Sequence, residues 1–408
     1  MRKLIRFPIL GAILAVGLLA STSPAGAAQT TAQIVVGSGS DTTEWMVQAL
    51  GDLYSNSPGC NQLASSQPLD GSCVSGNPAD AENFYHDAIV QRYFIGSGGG
   101  INQVCKQGLA GVASVDFARS SRVPLGAGAG GSDCSGLHFV GFARDGISWE
   151  CFPGSTNPGC GPLVAGSNNL TIVQLKNIFV NCSVTNWNQV GGDNKKIDVY
   201  VPQANSGTGV TWAAALGVQL AAGQALINCV DNPNNPGQPG SNVSPENTNS
   251  LIHINGDEAN AIFPYSIGVY QRTYGGLTGN DGSSLGLING RKPVFSQIQK
   301  GKFPVTRYLF NVYCAGDPTN GNKCGTDTAS PAWVTNFVGE NGFLCKGENA
   351  HKDSGGNPIL DPLTGKAYRT APTGSGQPTG EISDTIKAQG FVPLKKQSDG
   401  TYCVTFTT

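Results

Sequence analysis

Charge is scarce in this sequence. Of its 408 residues only 13% are Asp, Glu, Lys or Arg, about half the usual quarter. The formal net charge is -2, so there is no basic excess to neutralise phosphates, and nucleic acid is excluded as the expected partner. Charge-driven disorder is excluded as well, because 39% of the residues are hydrophobic. Histidine is nearly absent. The four (His86, His138, His253 and His351) stand singly and no CxxC-type spacing accompanies them, so no metal site and no cofactor is expected. Aromatic residues make up only 8%, and nothing in their pattern favours a carbohydrate platform: Tyr200, Trp212, Tyr265 and Tyr270 read as core. After residue 28 no apolar run is long enough to cross a membrane. The length suffices for two cores of about 150–200 residues each.

Glycine is abundant, with 57 residues, and so is cysteine, with 12. Residues 1–28 read as a secretory signal peptide: Arg2, Lys3 and Arg6 precede an apolar run from Ile9 to Ala20, and Ala25-Gly26-Ala27 offers small residues for cleavage. The chain is therefore expected outside the cytoplasm, secreted or periplasmic, after cleavage near Ala27. No Cys near that point indicates lipid attachment. Export favours disulfides, and three pairs close short Gly- or Asn-rich loops: Cys60 with Cys73, Cys151 with Cys160, and Cys314 with Cys324. Other connectivities remain open.

Apolar β-rich runs alternate with helical patterns, which predicts an α/β fold. Strands are expected at Gln33–Gly37, Arg92–Ile95, Gly111–Phe117, Leu137–Phe142, Ile147–Phe152 and Lys196–Val201. A helix over Asp41–Tyr54 would turn Trp45, Met46, Ala49, Leu50 and Leu53 to one face, with Asp41 and Glu44 as a capping box. Another covers Thr171–Val180. Near the C-terminus, Phe303–Tyr313 is followed by a helix over Pro331–Gly339 capped by Ser330, then a last helix and strand ending at Gly390–Leu394. Asp231–Ser250 and Lys352–Gly380 are polar insertions read as surface loops.

Three turns share one plan of strand, small residues and helix: Gly37-Ser38-Gly39-Ser40-Asp41-Thr42, Gly96-Ser97-Gly98-Gly99 and Asn205-Ser206-Gly207-Thr208. A helix start exposes unpaired backbone N–H groups and about half a positive charge. Gly admits a ligand close to the backbone, and Ser or Thr adds a hydroxyl donor, which is the composition of an anion site. Singly, each turn is also what any helix cap requires.

The wording and order of GSGSDT (37–42), IGSGGGI (95–101), VDFARSS (115–121), ANSGT (204–208), PYSIGVY (264–270), FPVTRYLFNVY (303–313) and GFVPL (390–394) resemble the phosphate-binding proteins of bacterial ABC transporters. The resemblance implies a two-lobed periplasmic-binding-protein-like fold of type II with two crossovers. Lobe 1 would hold residues 29–145 and 303–408, with an insertion near 352–380, and lobe 2 residues 146–302. It further implies a monomer that captures an inorganic oxyanion, foremost phosphate, for an ABC transporter permease and breaks no bond.

The implied ligand-binding set is Ser40, Asp41, Thr42, Ser97, Gly98, Arg119, Ser121, Ser206, Gly207 and Thr208. The chain departs from the family pattern at three places. Asp41-Thr42 stands for Thr-Phe, Ser121 for the acceptor Asp, and Gln203 for the Arg ahead of Ser-Gly-Thr. Arg119 and Asp41 are the residues available to replace the missing guanidinium and acceptor; alternatively, Asp41 only caps its helix and Arg119 makes a salt bridge within its lobe. A secreted scavenging or surface protein of the same fold with another ligand, and a secreted phosphatase or hydrolase, are the competing expectations. Gly282-Ser283-Ser284-Leu285-Gly286 matches the hydrolase elbow spacing without its strand–turn–helix setting.

Overall fold

The computed structural model describes residues 34–56, 73–75, 88–94, 96–106, 115–126, 133–152, 168–221, 223–230, 242–346, 351–353, 360–361, 364–368 and 378–408. The leader, Cys60 and Cys160 lie outside the described residues, and with them two of the three expected cysteine pairs. The third, Cys314–Cys324, is present, and Cys105–Cys134, Cys182–Cys229 and Cys345–Cys403 are further disulfides.

A ten-stranded sheet organises the chain. Its strands are β1 (Ile34–Gly39), β2 (Ala88–Phe94), β3 (Phe117–Ser120), β4 (Leu137–Cys151), β5 (Asp198–Val199), β6 (Ala261–Ser266), β7 (Ser284–Leu285), β8 (Thr306–Cys314), β9 (Val392–Pro393) and β10 (Val404–Thr407). The order is β2-β1-β3-β8-β4-β6-β5, with β7, β9 and β10 also pairing along β4. β1 runs parallel to β2 and β3, and β8 returns antiparallel to β3 and β4.

β4 joins the two halves. It pairs with β8 from Leu137↔Cys314 to Gly146↔Thr306, then with β6 from Ile147↔Ser266 to Glu150↔Phe263. Two separate strands, Leu137–Phe142 and Ile147–Phe152, were expected here, with Arg144-Asp145-Gly146 in the gap between them. The strand instead continues through it. Each polar side chain finds a partner on β8: Asp145 pairs with Arg307, and Arg144 donates to the Tyr308 hydroxyl at 2.6 Å and lies over its ring. With those charges satisfied, the polar pair is no obstacle to a continuous strand.

Helix α1 (Glu44–Asn56) buries Met46, Val47, Leu50 and Tyr54 at no more than 1% exposure, while Trp45 is 52% exposed. Each buried side chain contributes about 1.5–3 kcal/mol, so this face, not the one containing Trp45, docks the helix. The helix begins at Glu44, and Asp41 therefore precedes it rather than capping it. Helix α2 (Gly96–Lys106) follows β2, α3 (Ile172–Phe179) is closed by a Thr171–Gln174 capping box, and α4 (Gly207–Ala215) is capped by Ser206.

Other expectations shift. A strand is observed at Phe117–Ser120; of the strand expected at Gly111–Phe117, residues 111–114 lie outside the described residues. Lys196–Val201 resolves into β5 and a separate short strand, Val201–Pro202. Ser330 does not cap the helix at Ala332–Val338; its hydroxyl accepts from the Cys314 amide. The C-terminal strand β10 was not expected, although Val404-Thr405-Phe406-Thr407 is β-branched and aromatic throughout. Tyr200, Trp212, Tyr265 and Tyr270 are core residues, none above 2% exposed. Ser284 sits on β7, paired with β4, which is not a nucleophile elbow. Among the described residues no helix is long and apolar enough to cross a membrane, and no group of three or more His, Cys, Asp or Glu could hold a metal.

Candidate oxyanion site

The three small-residue turns meet where β1 and β3 end and where α2 and α4 begin. The Gly98 amide donates to the Asn205 carbonyl at 3.1 Å, so the α2 and α4 turns lock together. Glycine is required at the contact. A Cβ on Gly207 would stand 2.2 Å from Ser121 Oγ and 2.4 Å from Ser97 Oγ, and Gly96 has φ +67 with Asn205 O 2.6 Å from the place of a Cβ. Ser97 Oγ accepts from the Ser121 amide at 2.9 Å, and Ser40 Oγ donates to Ser121 Oγ at 2.9 Å. Ser206 Oγ accepts from the Gly209 amide at 3.0 Å as the α4 cap. Ser40, Ser97, Gly98, Ser206 and Gly207 thus form the frame of the site.

Thr42, Ser121 and Thr208 form its face, and they converge on one atom. Oε1 of Glu246 accepts from Thr208 Oγ1 at 2.6 Å, from the Thr208 amide at 3.3 Å, from Ser121 Oγ at 3.3 Å and from Thr42 Oγ1. Thr42 follows β1, Ser121 follows β3, and Thr208 is in the first turn of α4, so the donors come from both sides of the crossover strand.

A guanidinium orients these hydroxyls, and it is Arg307 on β8. All five of its N–H groups are used. Nε and Nη2 donate to Asp145 Oδ2 at 3.0 and 2.8 Å, Nη1 to Ser121 O at 3.2 Å and Thr208 Oγ1 at 3.0 Å, and Nη2 to Thr42 Oγ1 at 3.3 Å. Because Thr42 and Thr208 accept from Arg307, their own protons are free to point at the carboxylate. Asp145 is held in turn by Ser266 Oγ at 2.8 Å and the Gly268 amide at 3.0 Å. Arg307 is 6% exposed, and a buried guanidinium needs this full set of acceptors.

Arg119, the guanidinium favoured by the sequence, faces elsewhere. It donates to Ser40 O at 3.3 Å, Gln91 Oε1 at 2.5 Å and Gly39 O at 3.3 Å, and so braces β1 from behind. Burial pushes it down to about 10, against the pull of Glu44 and Asp41. Asp41 lies beside the cluster, accepting from Gln203 Nε2 at 3.3 Å. Burial, reinforced by the negative charge of Glu246, pushes its carboxyl up to about 7.

Sequence reasoning missed Arg307, Asp145 and Glu246. Arg307 had a signal, as a lone charge inside an apolar strand, where charge is retained only with a partner; Asp145 had a weaker one, next to Arg144 between two apolar runs. Glu246 sits in a segment read as a surface loop. Its second part is instead built in: Val243–Ser244 pairs with Val201–Pro202, and Glu246 is 4% exposed.

A family profile described as "PBP superfamily domain" matches residues 24–338. Solved structures with similar folds include an ABC-type phosphate transport receptor from Vibrio cholerae, 21% identical over 70% of this chain and 90% of that one, with a TM-score of 0.42. A Stenotrophomonas maltophilia phosphate-binding protein is 16% identical over 89% of this chain and 91% of that one, with a TM-score of 0.48. A Clostridium perfringens protein assigned as a phosphate ABC-transporter substrate-binding protein is 16% identical over 89% of this chain and 100% of that one, with a TM-score of 0.49. No curated protein sequence matches significantly. On the profile match over residues 24–338, this chain belongs to the PBP superfamily, with its two-lobed α/β fold.

Proposed function

We propose that this protein is an exported solute-binding protein that captures an inorganic oxyanion, foremost phosphate, between its two lobes and delivers it to an ABC-transporter permease. One observation carries the reading. Three hydroxyls and a helix-start amide from both sides of β4 converge on a single carboxylate oxygen, Oε1 of Glu246, and Arg307 behind them fixes the direction of two hydroxyl protons. Hydroxyl and amide donors in a dry cleft are worth more than in water, because a charge-assisted bond contributes about 1.5–3 kcal/mol.

Thr42, Ser121, Thr208 and Arg307 form the binding face of this proposal. Ser40, Ser97, Gly98, Ser206 and Gly207 hold it in shape, and Asp41 is the acceptor for a ligand proton. The lobes of this proposal are bounded near 145/146 and 302/303; the change of β4 partner after Gly146 supports the first of these. The chemistry is binding without bond cleavage, and the protein acts as a monomer once its leader is removed.

A thermal-shift series with phosphate, sulfate and arsenate at matched ionic strength tests this reading. Ligand at 100 times its dissociation constant adds about 2.7 kcal/mol of stability, so phosphate raises the melting temperature. A flat response to all three anions, both in the wild type and in a variant lacking the Glu246 carboxylate, would overturn it.

A further inference from the structure

The polar segment after residue 241 delivers a carboxylate to the point where the donors meet. Asn242 O and Ser244 O accept from the Val201 and Gln203 amides at 3.1 and 2.9 Å, which lays the segment beside the strand leading into α4. Asn247 then turns at φ +61, a conformation Asn tolerates better than most residues. It is pinned at three atoms: its carbonyl accepts from Tyr265 OH at 2.7 Å, its Oδ1 from the Ser266 amide at 3.2 Å, and its Nδ2 donates to Thr42 Oγ1 at 2.9 Å. The turn aims Glu246 inward.

One oxygen of that carboxylate takes four donors, from Thr42, Ser121 and Thr208. The other, Oε2, is buried without a hydrogen-bond partner, as are Asp41 Oδ1 and Gln203 Oε1 close by. The donors are thus gathered on a single atom, and the acceptors around it are left over. A carboxylate that joins Thr42 and Ser121 on one lobe to Thr208 on the other makes the same bridge that a bound oxyanion would make.

Resting on the oxyanion reading of this site, we propose that Glu246 is a built-in anion that occupies the oxyanion position, so that a free anion binds only by displacing it. Glu246 and an incoming phosphate compete for the same three hydroxyls and the same amide. The charges facing this point are Asp41 from the β1–α1 turn, Arg307 from β8 and Asp145 from β4. Arg307 and Asp145 neutralise each other, so two anions in the cleft would have no counter-charge, and the carboxylate must leave. Affinity for free phosphate is therefore set by how firmly the 242–249 turn holds Glu246 in place.

Calorimetric titration of phosphate into the wild type, Glu246→Ala and Glu246→Gln tests the proposal. Glu246→Gln keeps the side-chain shape and guards against misfolding of the alanine variant. The expected result is at least tenfold tighter phosphate binding in both variants. Glu246→Ala without ligand should melt below the wild type, and phosphate should restore it. In the wild type, phosphate should accelerate amide hydrogen exchange across residues 242–249 as the carboxylate withdraws. If the variants bind phosphate as weakly as the wild type, or more weakly, Glu246 is not a competitor and the proposal falls while the oxyanion site stands. If none of the three proteins binds phosphate, the oxyanion reading itself falls and takes this proposal with it.

Discussion

Replacing Arg307 with Met removes the cation of a pair whose side chains are 2% and 0% exposed. Asp145 Oδ2 loses two donors and keeps only Ser266 Oγ at 2.8 Å, while Oδ1 keeps the Gly268 amide at 3.0 Å. Breaking one partner of a buried pair costs about 3–5 kcal/mol, because the other charge stays buried. At about 2–4 °C per kcal/mol for a large domain, the melting temperature should fall by roughly 6–20 °C. The double variant Arg307→Met/Asp145→Asn removes the stranded charge. It should recover a coupling energy of about 1–3 kcal/mol relative to the sum of the single losses. Calorimetry or circular dichroism on the four proteins of the cycle gives the comparison. A single Arg307→Met loss below about 1 kcal/mol, the ordinary centre of point-mutation effects, or strict additivity in the cycle, would refute the claim that this pair anchors the crossover.

Gly207→Ala should abolish the phosphate response, since its Cβ would stand 2.2 Å from Ser121 Oγ, whereas Gly209→Ala meets atoms only at 3.6–3.7 Å and should stabilise α4 by about 0.5–1 kcal/mol; paired melting curves with and without phosphate distinguish the two. Stability should decline as pH rises, because Asp41 moves from 3.8 to about 7 on folding and Glu150 from 4.5 to about 8, both chiefly by burial. An acid with a raised folded pKa keeps its proton in the native state after the unfolded chain has lost it, so the loss accumulates between about pH 4 and pH 8. Asp41→Asn and Glu150→Gln should each flatten the melting-temperature profile over that window, and an unchanged slope would contradict the burial argument. Cys182→Ser/Cys229→Ser opens a disulfide of sequence separation 47 and should cost about 2–4 kcal/mol in denaturant melts.

Alternating apolar runs and Gly/Ser turns were legible because each is local: β1, the helix after Thr171, and the Ser206 start of α4 need only neighbouring residues. What was not legible depends on contacts distant in sequence. That one strand continues through Arg144-Asp145-Gly146 is not apparent until Tyr308 and Arg307, 164 and 162 residues later, are known to lie opposite. Arg119 was the obvious guanidinium because it sits inside a recognised motif, but its strand turns it toward Gln91 and the β1 carbonyls. Trp45 fits the apolar period of α1, yet the buried face is centred one residue further on. Glu246 was hidden most thoroughly, since a Pro-, Asn- and Gly-rich stretch gives no sign that one of its carboxylates ends inside a cleft.

The central claim is that Thr42, Ser121 and Thr208, two of them aimed by Arg307, form one oxyanion site shared by both lobes. Crystals of Glu246→Ala grown with arsenate, whose arsenic scatters anomalously, would locate the anion directly. The account predicts one arsenate per chain within hydrogen-bond distance of Thr42 Oγ1, Ser121 Oγ and Thr208 Oγ1. An anomalous peak elsewhere on the protein, or none at saturating arsenate, would contradict it.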